Sequence, residues 1–132
     1  IDVVGVDLDS TMLDVARRKA PDLTWVEGSV HDIDVGTGFD VVVTAGNVMI
    51  FVQPGTEAAV VANLAQHVAP GGHLVSGFQL GHGYGLDRYD ADCEAAGLSL
   101  AARYSTWDAR PWSNDVDYAV SVHRRSSPEE PT

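Results

Sequence analysis

Three apolar runs of strand length lack the alternation of a half-exposed strand, and this constrains the fold more than any other feature of the chain. Val3-Val4-Gly5-Val6-Asp7-Leu8 is interrupted by one glycine and ends in acid. Phe39-Asp40-Val41-Val42-Val43-Thr44 and the run from His73 to Phe78 follow it. Continuous runs of this kind predict strands buried on both faces, the pattern of a parallel sheet. The segments between them have helical periods. Asp9 or Ser10 offers an N-terminal cap, Met12, Leu13, Ala16 and Ala20 fall at helical spacing, and Pro21 stops the helix. A short strand at Leu23 to Val26 and the turn Glu27-Gly28-Ser29 come next. After the second run lie the loop Ala45-Gly46-Asn47 and an apolar stretch from Val48 to Val52. Pro54-Gly55-Thr56 then announces a helix with the stripe Val61, Leu64, Ala65 and Val68, ended by Pro70-Gly71-Gly72. Strands alternating with helices predict an α/β fold.

The last third changes character. Leu86, Tyr89, Cys93 and Ala96 mark a helix closed by Gly97. Leu98, Leu100, Ala102, Tyr104 and Thr106 alternate, and so do Val116, Tyr118, Val120 and Val122, with Pro111 and Asn114 between the two sets. That pattern predicts an antiparallel pair, so the mostly parallel sheet should carry an antiparallel strand near its end. With 132 residues and 14.1 kDa the chain is sized for one domain. The expected boundaries are 1–123 for that domain and 124–132 for a polar, unstructured tail.

Composition narrows the partners. Eight basic residues against nineteen acidic give a formal charge of −11, which argues against nucleic acid, whose phosphates call for clustered Lys and Arg. No apolar run approaches the roughly 20 residues of a membrane helix. A single cysteine, Cys93, forms neither an intramolecular disulfide framework nor a cysteine-built zinc site, which suits a reducing cytoplasm. No metal site is expected.

Ligands of open parallel sheets sit beyond the carboxyl ends of the strands. Asp7 ends the first run, where a carboxylate accepts two hydrogen bonds from vicinal ribose hydroxyls; a solvated acid in a turn is the plainer reading. Ser29, the Val30 main-chain N–H or Asp32 can read the edge of an adenine, with Leu8 and Met12 over its face, although apolar residues such as these usually belong to a core. Thr44-Ala45-Gly46-Asn47 is small enough for a ligand to approach the backbone, or is simply a tight turn.

In this order the segments resemble the class I S-adenosylmethionine-dependent methyltransferases. The resemblance runs through Val4-Gly5-Val6-Asp7-Leu8-Asp9, Glu27-Gly28-Ser29-Val30, Phe39-Asp40-Val41-Val42-Val43 and Ala69-Pro70-Gly71-Gly72-His73-Leu74-Val75. It implies a Rossmann-like, mostly parallel sheet and S-adenosyl-L-methionine as cofactor. It also implies ribose binding by Asp7, adenine contacts at Ser29 and Val30, and passage of Ala45 near the methionine part. Many members carry an acid where Ser29 stands, so Asp32 or the backbone would remake that contact. The glycine-rich loop of the family, between its first strand and first helix, would precede Ile1. Gly81-His82-Gly83-Tyr84-Gly85 follows the wrong strand and reads as a flexible substrate-side segment.

The expected sheet therefore lacks its first central strand, which in the family lies between those represented by Val3–Leu8 and Phe39–Thr44. About ten backbone groups, at ~1–3 kcal/mol each if buried, would go unpaired. A missing N-terminal segment or another chain is expected to complete the sheet, and activity of this fragment alone is left open.

The chemistry expected is in-line methyl transfer to a small-molecule acceptor, with oxygen, nitrogen and carbon all open. It needs position and a dry site rather than a nucleophile triad or a metal. His82 and Tyr84 are the expected base candidates, against a plain surface histidine in a glycine loop. Trp107, Trp112 and Tyr104 can wall an acceptor pocket or pack at a sheet edge. Two alternatives stand beside this reading. One is a degenerate methyltransferase-like domain that binds a partner without catalysis, and the other is a nicotinamide-dependent dehydrogenase.

Overall fold

A computed structural model describes residues 2–128. The chain divides into two compact units, one ending at Val35 and the other starting at Gly36.

The first unit is a β-α-β segment. Strand β1 (Val4–Asp7) leads into helix α1 (Ser10–Lys19), and β2 (Thr24–Glu27) returns parallel to β1, from Val4 opposite Thr24 to Asp7 opposite Glu27. Gly5 is a packing requirement. A Cβ there would lie 2.1 Å from the ring of Trp25, whose indole nitrogen donates to the Ala20 carbonyl at 2.9 Å. Asp9, rather than Ser10, caps α1, its carboxylate accepting from the main-chain N–H groups of Thr11 and Met12. Arg17, Arg18 and Lys19 fill the last turn, where the helix dipole favours positive charge. Of the apolar stripe only Leu13 is fully buried, while Met12 is exposed.

The second unit holds β3 (Phe39–Thr44), α2 (Val48–Phe51), α3 (Glu57–Gln66), β4 (Val68–Gln79), α4 (Leu86–Ala95), β5 (Leu98–Tyr104) and β6 (Tyr118–Arg125). Its four strands lie in the order β3-β4-β6-β5. β3 runs parallel to β4, and β6 is antiparallel to both β4 and β5. The mixed sheet expected from the sequence is present. Leu74, Ser76 and Phe78 alternate onto one face of β4, where the Tyr89 hydroxyl of α4 donates to Ser76 Oγ at 2.5 Å. Val60, Val61 and Leu64 of α3, Cys93 of α4 and Ala119 of β6 complete this core. Among the described residues each sheet ends in a parallel strand with an open edge, for β1 pairs only with β2 and β3 only with β4.

Four details differ from the sequence expectation. Strand β3 is not buried on both faces: Val41 and Val43 are 52% and 54% exposed. They point away from the face of Val42 and Thr44, which sit opposite the core residues Leu74 and Ser76. The third helix ends at Gln66, and β4 starts at Val68, so Val68 and Pro70-Gly71-Gly72 belong to the strand. Gly72 permits the close approach there, since a Cβ would stand 2.8 Å from the Asp40 carbonyl. The alternation through Leu98–Thr106 breaks at an irregularity between Leu100 and Ala102, which turns Arg103 toward α4. Finally, Arg124 and Arg125 extend β6, so the expected tail begins two residues too early; its residues 129–132 lie outside the described residues.

Candidate functional site

At the carboxyl ends of β1 and β2 the first unit gathers five of the expected cofactor residues, Asp7, Leu8, Ser29, Val30 and Asp32. The Gly28 N–H donates to the Asp7 carbonyl at 3.0 Å and ties the two strand ends together. Asp7 is exposed, and one of its oxygens accepts from the Asp9 N–H at 2.9 Å, which fixes the carboxylate in the turn. A carboxylate held this way keeps acceptor capacity for two hydroxyls. Leu8 and Met12 are 72% and 55% exposed, so they are not core residues. They present apolar surface beside Asp7. Ser29 starts the turn that carries Val30 and Asp32, its carbonyl accepting from the N–H groups of Asp32 at 3.3 Å and Ile33 at 2.8 Å. Its hydroxyl pairs with His31 Nδ1 at 2.9 Å. An exposed acid, exposed apolar side chains and a polar turn fit the ribose and adenine of a nucleoside.

In the second unit Ala45 is exposed and precedes Gly46 and Asn47, both with positive φ. Asn47 is a residue that sequence reasoning treated only as loop. Its side-chain carbonyl accepts from the Gln79 N–H at 2.8 Å, fastening the end of β3 to the end of β4. Side-chain contacts 32 positions apart leave no local pattern in a sequence. The Thr44 hydroxyl, just before this turn, is buried without a hydrogen-bond partner.

The two base candidates are placed differently. His82 is exposed in the loop after β4. Tyr84 is buried, and its ring packs on Phe78 and Tyr89 with the Arg88 guanidinium over its face. The Tyr84 hydroxyl donates to Asp92 at 2.6 Å. Burial, reinforced by that bond to Asp92, pushes its pKa well above the ordinary phenol range. The geometry suits Tyr84 to holding the loop that displays His82.

Beneath the helix-covered face lies a charged network. Asp90 accepts from Arg103 at 2.5 Å and pairs with His123 Nε2 at 3.0 Å, while Arg103 Nε donates to Ser121 Oγ at 3.0 Å. Burial depresses the His123 pKa and outweighs the opposing pull of Asp90. Burial likewise pushes the Cys93 thiol up to about 12. Among the described residues no group of three or more His, Cys, Asp or Glu is placed to hold a metal ion, and no helix is long and apolar enough to cross a membrane.

Comparison with known proteins bears on this arrangement. A family model described as a methyltransferase domain matches residues 1–72, just over half of the chain. The chain is 35% identical over 75 residues to a dTDP-3-amino-3,4,6-trideoxy-alpha-D-glucopyranose N,N-dimethyltransferase of Streptomyces venezuelae, covering 56% of this chain and 32% of that protein. It is 31% identical over 74 residues to a dTDP-4-amino-2,3,4,6-tetradeoxy-D-glucose N,N-dimethyltransferase of Saccharopolyspora spinosa, covering 55% and 30%. The matched stretch therefore spans about a third of the length of these relatives. Among solved structures, a TehB-like SAM-dependent methyltransferase of Corynebacterium glutamicum superposes with a TM-score of 0.88 at 32% identity, over 95% of this chain and 68% of that one.

Proposed function

The chain belongs to the class I S-adenosylmethionine-dependent methyltransferases, and from that premise we propose that it takes part in methyl transfer to the amine of a small amino sugar. The observation that carries the cofactor side is the edge formed by Asp7, Leu8 and the Ser29 turn, an exposed carboxylate flanked by apolar side chains that have left the core. In this reading Asp7 accepts the ribose hydroxyls, Leu8 covers the adenine, and Ser29, Val30 and Asp32 read its edge. Ala45 lets the methionine part approach the backbone. Both curated relatives are named as N,N-dimethyltransferases of dTDP-linked amino sugars, which favours nitrogen over oxygen or carbon as the acceptor atom.

When bound, the cofactor supplies a methyl group on a positively charged sulfur. The contribution of this chain is binding, orientation and proton removal. An amine is mostly protonated near neutral pH and has no lone pair to offer, so His82, exposed after β4, takes the ammonium proton. Tyr84 positions that loop from beneath. Strand β1 has an open edge in its own sheet, and β3 has one in its own, and an open edge is where a further strand carrying the glycine-rich loop of the family could pair. A cytoplasmic location belongs to the same reading, since the single thiol is free and buried.

Calorimetric titration of the chain with S-adenosylhomocysteine tests this assignment. One-to-one binding supports it, and a folded protein that binds none when the further strand is present removes Asp7 and its neighbours from a cofactor site. A partner-binding domain without catalysis would give that second result. Methyl transfer to an amino glycoside, followed by mass, tests the acceptor separately.

A further inference from the structure

The loop from β5 to β6 forms an open cleft lined by Thr106, Trp107, Arg110, Asp117 and Tyr118, which the cofactor residues do not touch upon in their assigned roles. Its floor is unusually well fixed for a surface loop. The Trp107 indole N–H donates to the Tyr118 hydroxyl at 3.0 Å, yet Trp107 remains 46% exposed. Both side chains occupy the space that a side chain of β4 would take: a Cβ on Gly77 would lie 2.5 Å from the Trp107 ring and 2.7 Å from the Tyr118 hydroxyl. Glycine at that position lets the indole settle against the strand. The loop closes on itself through the Ser105 N–H to the Arg110 carbonyl at 2.9 Å and the Ala109 N–H to the Thr106 carbonyl at 3.2 Å. Ala109 holds a φ of 66°, in a region that non-glycine residues seldom adopt. An indole pinned from below and exposed above is a preformed stacking platform, with little rotamer freedom left to lose on binding.

The charge of the cleft selects among flat ligands. One carboxylate, Asp117, and one cation, Arg110, line it, and the Arg110 Nε lies 3.8 Å from Asp108, which leaves Asp117 as the lining acid without a cationic partner among the described residues. A carboxylate beside an exposed indole offers an ammonium group an ionic partner. The cleft also adjoins the exit of β4. Tyr118 pairs with Gln79, the Leu80 N–H donates to the Asp117 carbonyl at 2.7 Å, and His82 follows two residues later.

We propose that this cleft seats the acceptor, a protonated amino-sugar ring stacked by its C–H face on Trp107, with its ammonium group drawn to Asp117. The assignment rests on the methyltransferase reading and adds to it where the acceptor binds and which part of it is recognised, the ring and its amine.

The test uses the full chain with S-adenosylhomocysteine present and follows the tryptophan indole N–H resonances by NMR. The probes are methyl 2-amino-2-deoxy-α-glucopyranoside, the corresponding methyl glucoside without the amine, and uridine-diphosphate glucosamine. The amino glycoside should shift the Trp107 resonance saturably, and the glucoside should bind at least tenfold more weakly. Trp107→Ala and Asp117→Asn should each weaken the amino glycoside tenfold or more, while Trp107→Phe, which keeps a ring, should lose less. Both kinds of variant should bind S-adenosylhomocysteine as the parent does. A Trp107 resonance unmoved by the amino glycoside, or binding unaffected by Trp107→Ala, overturns the assignment. So does binding of the nucleotide-linked sugar alone. Loss of S-adenosylhomocysteine binding in the parent chain instead strikes the cofactor reading, and so the two failures are told apart.

Discussion

Asp7 and His123 show how differently two titratable side chains serve the same chain. Asp7 stands at a strand end, exposed, with one oxygen held by the Asp9 N–H and capacity left for a ligand. Replacing it with alanine removes a charge-assisted bond worth ~1.5–3 kcal/mol, so affinity for S-adenosylhomocysteine should fall roughly 10- to 150-fold. Calorimetry checks this, with the melting temperature as the control for the lost turn contact. His123 is fully buried, and burial depresses its pKa although Asp90 and Glu94 pull the other way; Arg103 adds to the depression. A histidine that ionises less readily when folded binds more protons in the unfolded chain. Its contribution is therefore complete above the unfolded pKa, near 6.5, and is lost as pH falls below that toward the folded value. Urea midpoints measured from pH 7 down to 5 should drop, and His123→Gln should flatten that decline. A parent chain with no decline would mean that Asp90 outweighs burial. Asp7 was legible in the sequence because strand ends are local features. The pairing of His123 with Asp90 was not, because 33 residues separate them.

At the scale of elements, the glycines of the strands record what crosses them. Gly5 makes room for Trp25, and Gly77 for Trp107 and Tyr118. Gly77→Val should cost about 1–3 kcal/mol through overpacking and displace the indole, read as a lower urea midpoint together with a red-shifted tryptophan emission. An unchanged emission would show that Trp107 does not lie against β4. The helices were readable because caps and stripes are short-range signals, as the Asp9 cap and the Gly97 stop illustrate. Strand β5 was only half readable. Its alternation looked unbroken from Leu98 to Thr106, but one irregularity exchanges the faces and delivers Arg103 to Asp90.

For the whole molecule, pairing is uneven. β4 and β6 have a partner on each side, whereas β1 and β3 have one. Backbone amides of β4 and β6 should therefore exchange slowest with solvent, and those of the four-residue strands β1 and β2 faster, as followed by hydrogen exchange with peptide-level mass analysis. Equal protection across both sheets would contradict this. The exposed valines of β3 belong to the same unevenness, being residues of a buried type on a strand with one open edge.

The sequence by itself determined the class of fold, the direction of the strands and the place of Asp7 at a strand end. Each of these depends on local order: apolar runs of strand length, helical stripes, and an acid at the end of the first run. Tertiary structure alone decided what those elements present to a ligand. It buried Tyr84 and left His82 in solvent, brought Leu8 and Met12 out of the core, clasped Asn47 to Gln79, and set Trp107 in the space left by Gly77. Periodicity is set by neighbours a few residues apart, but exposure and contact are set by whichever distant segment packs alongside.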